Sequence, residues 1–99
     1  MNSKRPLMEW DEAKRRSNLY KHRLDFIDIS SVFDDREFIE VQDTKQDYGE
    51  IRFNRYTHWQ GRLIHVSYTI RNGVYRLISA RKANERERKS YEKWMGKKY

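Results

Sequence analysis

Arg81 and Lys82 stand where a strand-forming run, Tyr75-Arg76-Leu77-Ile78-Ser79-Ala80, meets a charged segment that reads as a helix after Asn84. Cations at such a junction suit a polyanion, because arginine presents a planar fork to phosphate oxygens and a helix N-terminus adds its dipole. RNA cleavage without a metal needs three groups. One takes the proton from a ribose 2′-OH, cations offset the charge growing on the phosphate, and one protonates the leaving 5′-oxygen. Arg52, Arg76 and Arg81 lie on or beside neighbouring strands and are candidates for the phosphate role. His22 is the candidate for proton transfer, since histidine is the side-chain type that titrates nearest neutrality, and Glu87 or Tyr68 can share that task. Each has a plainer reading. Arg76 can cover a strand with its stem, Glu87 can cap a helix, Tyr68 can pack in the core, and His22 can sit at a helix C-terminus.

Other chemistries lack their residues. There is no cysteine, and His22, His58 and His65 are scattered without HxH or HExxH spacing, so neither a metal nor a cofactor is expected. There is no GxSxG, Walker loop or GxGxxG. Asp34-Asp35 falls in a turn, where Asp is favoured for local hydrogen bonding. No apolar run reaches signal-peptide or membrane-span length, so the expectation is a soluble, cytoplasmic protein.

Charge separates along the chain. Residues 71–99 hold ten Lys or Arg against Glu85, Glu87 and Glu92, which accounts for the whole net charge of +7. Residues 34–50 hold seven acids against Arg36 and Lys45, a net of −5. A basic pole suits nucleic acid, and a solvated helix face is the plainer alternative. At 99 residues the chain is expected to be a single domain over 1–99, with 1–6 disordered. The apolar share is 36%, but 14% aromatic residues bury much area each, which favours a folded domain.

The elements that must position these residues follow from spacing. Leu7–Trp10 reads as a short strand. Asp11 caps a helix to Arg23 whose core face is Trp10, Ala13, Ser17, Tyr20 and Leu24. A second helix, capped by Asp25, runs from Phe26 to Phe33. Residues 37–43 form a weak strand. Residues 50–58, 62–70 and 74–80 form an antiparallel meander, with Trp59-Gln60-Gly61 at the first turn and Asn72-Gly73 at a type I′ hairpin. Along 50–58, Arg52, Asn54, Tyr56 and His58 share one face. The last helix begins after Asn84 with an Asn84/Glu87 capping box, packs through Tyr91, Trp94 and Met95, and ends at Gly96. The class is α+β.

Residues 9–22 (EWDEAKRRSNLYKH), 32–35 (VFDD) and 62–92 (through ISARKA to Glu87-Arg88 and Tyr91) resemble the BrnT family of bacterial toxins. The resemblance covers about residues 8–92. It implies a RelE-like fold, with an antiparallel sheet, two N-terminal helices and one C-terminal helix, and a toxin that cleaves RNA. It also implies a BrnA-type antitoxin with a ribbon-helix-helix part, through which the complex binds operator DNA. Lys14, Lys21, Arg76, Lys82 and Arg88 become candidates for RNA contact beside the catalytic candidates Arg52, Arg81, His22, Glu87 and Tyr68. One departure has a structural consequence: the family often has Gly after Lys-His, and here Arg23 stands at that helix exit. The alternative function is a non-catalytic nucleic-acid- or antitoxin-binding protein with a basic surface.

Overall fold

The computed structural model describes residues 6–96. The chain runs β1 (Met8–Trp10), α1 (Glu12–His22), α2 (Phe26–Ile29), a 3-10 turn (Ser30–Val32), β2 (Phe38–Asp43), β3 (Arg52–Trp59), β4 (Arg62–Arg71), β5 (Val74–Lys82) and α3 (Glu85–Gly96). The five strands form one sheet in the order β1-β5-β4-β3-β2. The expected meander is present, and both weak strands are real. The expectation segment 1–6 lies almost wholly outside the described residues, as do Lys97 and Lys98 of the basic pole.

The sheet is mixed rather than antiparallel throughout. β1 pairs parallel with β5, Met8 opposite Tyr75 and Trp10 opposite Leu77. β1 is joined to β5 by no hairpin, so no tight turn dictates its direction. Two-residue turns do dictate the rest. Gln60-Gly61 and Asn72-Gly73 have φ of 51°, 81°, 52° and 79°, the positive values a type I′ hairpin demands.

Alternation divides the sheet into two faces. Ile64, Val66 and Tyr68 of β4 and Leu77 and Ala80 of β5 pack with Leu24, Phe26, Ile29, Val32 and Phe33, so α2 and its flanks cover the first face. On the other face Leu63 packs with Tyr91 and Met95, which docks α3. Trp94, expected to join them, is 57% exposed. The second helix is also shorter than its apolar stripe suggests. Ser30 and Ser31 donate back to the carbonyls of Ile27 and Asp28, and the helix tightens into a 3-10 turn there.

Of the expected face, Trp10 and Leu24, which flank α1, do pack with the core, but the three residues within the helix do not. Ala13, Ser17 and Tyr20 point to solvent, Tyr20 being 79% exposed, while polar Asn18 is only 5% exposed. The reason is what α1 faces. β1 ends opposite Leu77, so beyond it the edge of β5 has no strand beside it. Asn18 takes that place: Nδ2 donates to the carbonyls of Ala80 (2.8 Å) and Leu24 (2.9 Å), and Oδ1 accepts from the Ala80 N–H (3.0 Å). One amide side chain thus does what a paired strand residue would do for Ala80. Arg15 ties the helix to the cap of α2 through Asp25 (2.9 Å). Arg23 ends α1 at φ 63°, a left-handed conformation that favours glycine, and its N–H donates to the Leu19 carbonyl.

Candidate active site

Three side chains line up across three strands on the face that carries α3. Tyr56 of β3 is opposite His65 of β4, and His65 is opposite Arg81 of β5. The Tyr56 and His65 rings lie 5.0 Å apart. Glu87, from the first turn of α3, closes the row: Arg81 donates from Nη1 and Nη2 to its two carboxylate oxygens at 2.9 and 2.8 Å. Glu87 also accepts from the Asn84 N–H, and its own N–H donates to Asn84 Oδ1. The capping box is therefore present, and the same carboxylate holds the arginine fork.

This arrangement sets the charges. The hydrogen bonds from Arg81 hold Glu87 ionised down to about pH 2. Glu87 in turn raises the already high pKa of Arg81. Burial, helped by the Arg81 charge, depresses His65 to about 4, so its imidazole is neutral at pH 7. Its Nδ1 is buried and has no hydrogen-bond partner among the described residues. Burial first, and then Glu87, raise the Tyr56 phenol, which stays protonated and able to donate.

Beside this row lies a second, Asn54–Ser67–Ser79, in which Ser67 donates to Asn54 Oδ1 at 3.0 Å. Ser79 reaches the sheet edge and lines a groove of about 200 Å³ with Lys14, Ser17, Lys21 and His22 of α1. So β5 brings His22, Lys14 and Lys21 to the border of the same polar face.

Arg52 and Arg76 belong to a third row, through Thr69. Arg52 is four residues along β3 from Tyr56, roughly 13 Å at strand spacing. It pairs with Glu50 (3.2 Å) and lies over the Tyr48 ring (4.1 Å), while Arg76 pairs with Glu9 (3.0 Å). Arg52, Arg76 and Arg81, the sequence candidates for the phosphate role, do not converge, because the strands space them apart and separate carboxylates hold each one. Tyr68 is corrected further. It lies three residues from His65 on β4, hence on the opposite face, and is 1% exposed between the Phe53 and Tyr75 rings. Lys82 and Arg88 line another groove, on the far side of the Arg81–Glu87 bridge.

Tyr56 and His65 were not among the sequence candidates. The two-residue turn at Gln60-Gly61 already pairs Trp59 with Arg62, and counting back from it sets Tyr56 against His65. Arg81 could not be placed that way. Counting from Asn72-Gly73 alone sets Ala80 opposite His65; a bulge between Ser67 and Tyr68 shifts the register and turns Arg81 onto the site face.

Residues 10–87 match the family described as the ribonuclease toxin BrnT of type II toxin–antitoxin systems. The chain belongs to the BrnT family. The matched span holds all four members of the row and ends at Glu87, so it covers β2 to β5 and both N-terminal helices but only the last residue of β1 and little of α3. No individual curated protein matches the chain. BrnT proteins being ribonuclease toxins of type II systems, the substrate class is RNA and the partner class an antitoxin. Among the described residues no three His, Asp or Glu side chains group as a metal ion needs, and no helix is long and apolar enough to cross a membrane.

Proposed function

We propose that this protein, a RelE-like toxin acting in the cytoplasm, cuts single-stranded RNA without a metal ion and so halts translation and growth. The ribose 2′-OH attacks the adjacent phosphate, and the 5′-oxygen leaves. The observation that carries this reading is the cross-strand row with its arginine fork locked by Glu87. Glu87 and the Lys82 carbonyl take both Nη1 protons and one of Nη2, so Arg81 meets the phosphate oxygens through its remaining Nε–H and second Nη2–H and offsets the charge that grows on them. Glu87, held ionised down to about pH 2, is too weak a base for a 2′-OH and acts as the positioning residue for Arg81. Tyr56 donates its phenolic proton toward the departing oxygen. The 2′-OH proton passes to water at the open face, and His22, at its border with Lys14 and Lys21, helps hold the strand. The partner is a BrnA-type ribbon-helix-helix antitoxin, through which the complex binds operator DNA; the absence of such a gene beside this one would remove that part of the proposal.

The test is cleavage rate under saturating RNA, with folding checked by thermal melting. Arg81→Lys keeps the charge but loses the planar fork, and Tyr56→Phe loses only the donor. Each should slow cleavage by roughly a hundredfold. Arg52→Lys, in a different row, should cost less than tenfold. If Arg81→Lys melts normally and cleaves at a near wild-type rate, the site has been placed wrongly.

A further inference from the structure

Where the Arg81–Glu87 bridge ends, a second groove of about 500 Å³ begins, for Lys82 and Arg88 follow directly on those two residues. Arg62 enters it from the start of β4, held there by the Gln60-Gly61 turn. His58 stands on the same rim, with its ring 5.4 Å from Tyr91 in an edge-on contact. Three cations thus face one carboxylate, Glu92. All three are exposed; Arg62 and Lys82 make no ion pair among the described residues, and Arg88 has only the loose contact to Glu85 at 3.6 Å. Elsewhere on the sheet the arginines are bound to carboxylates at 3.2 Å or less, as Arg52, Arg55, Arg71, Arg76 and Arg81 show. Cations left unpaired in a concave groove retain their full attraction for an external anion.

We infer that this groove is a subsite for the RNA backbone flanking the cut, with Arg62, Lys82 and Arg88 on the next phosphates and His58 offering its ring to a base. The placement beside the scissile phosphate rests on the function proposed above; the binding itself does not. A basic groove that follows a backbone, with an aromatic ring at its rim, is how single strands are held without regard to sequence. The groove adds length dependence to the enzyme: a longer strand gains contacts that a dinucleotide cannot reach.

The experiment measures binding of a fluorescent 2′-O-methyl uridine dodecamer, which has no free 2′-OH and cannot be cut, by anisotropy across a salt series. The double variant Arg62→Ala/Arg88→Ala should lose roughly tenfold in affinity at low salt, and its salt slope should fall by about 1.4, about 0.7 per lost phosphate contact. Lys89→Ala/Lys93→Ala removes the same charge from exposed positions of α3 outside this groove and should leave the slope nearly unchanged. Equal losses in the two double variants would show general attraction only and overturn the subsite. Unchanged RNA binding together with weakened antitoxin binding would make the groove a protein-docking surface and also overturn it. Should the wild-type chain fail to cut any RNA while the two variants still differ as stated, the groove stands and the cleavage reading alone falls.

Discussion

Replacing Asn18 by Ala removes the contact that fixes α1 to the sheet, and the cost can be worked from its hydrogen bonds. Three are lost: to the carbonyls of Leu24 and Ala80 and from the Ala80 N–H. The groups left behind are buried, since Asn18 is 5% exposed and Ala80 fully covered. An unsatisfied buried polar group costs about 1–3 kcal/mol, and water entering the vacated space recovers part of that. Asn18→Ala should therefore destabilise by about 3–5 kcal/mol, a large share of the 5–15 kcal/mol typical of a small domain. At roughly 4–8 °C per kcal/mol, melting should fall by roughly 12–40 °C. Asn18→Asp keeps the acceptor but sets a carboxylate against two carbonyls, and should be at least as damaging. The assay is urea unfolding followed by tryptophan fluorescence, with ΔG taken at constant m-value. A loss below 1 kcal/mol for Asn18→Ala would mean that the edge of β5 satisfies its own backbone, and the account of how α1 is held would be wrong.

Two further predictions concern charge and backbone. His65 should make the fold acid-sensitive: the unfolded imidazole binds a proton near its ordinary value of 6.5, the folded one only near 4, so stability is full above pH 6.5 and is lost as pH falls toward 4. The ceiling on that loss is about 3 kcal/mol, and His65→Gln should flatten the melting-versus-pH curve in this window; an unaltered slope would show that His65 is solvated. Arg23→Gly relieves the left-handed residue at the end of α1 and should raise stability by about 1 kcal/mol in thermal melts, whereas a loss would show that the Arg23 side chain contributes more than the strain costs.

Local chemistry made much of this fold legible in the sequence. Asn72-Gly73 marked its hairpin because few other residues accept positive φ, and Asn84 with Glu87 marked the start of α3 because the capping box is a contact within four residues. Alternation on β3 correctly grouped Arg52, Asn54, Tyr56 and His58 on one face. What escaped depends on distant partners. The face of α1 follows from an unpaired strand edge that lies 62 residues away at Ala80, so apolar periodicity misassigned it. Tyr68 was read as a site candidate because its place on a strand says nothing of which face is core; its distance of three residues from His65 decides that only after His65 is placed. The one-residue bulge that turns Arg81 toward His65 leaves no composition signal, since it inserts neither Gly nor Pro. The place of Arg81 in the proposed row was thus hidden by a register shift rather than by its residue type.

The central claim is that the Tyr56–His65–Arg81 row, with Glu87, serves an RNA cleavage in which the 2′-OH is the nucleophile and no metal takes part. It is tested most directly by incubating the pure protein with single-stranded RNA in EDTA and identifying the new 3′ ends. The account predicts cleavage that EDTA does not suppress, with 2′,3′-cyclic phosphate or 3′-phosphate ends that Arg81→Lys forms at least a hundredfold more slowly. Cleavage that vanishes in EDTA and returns with magnesium, or products ending in 3′-OH, would contradict it.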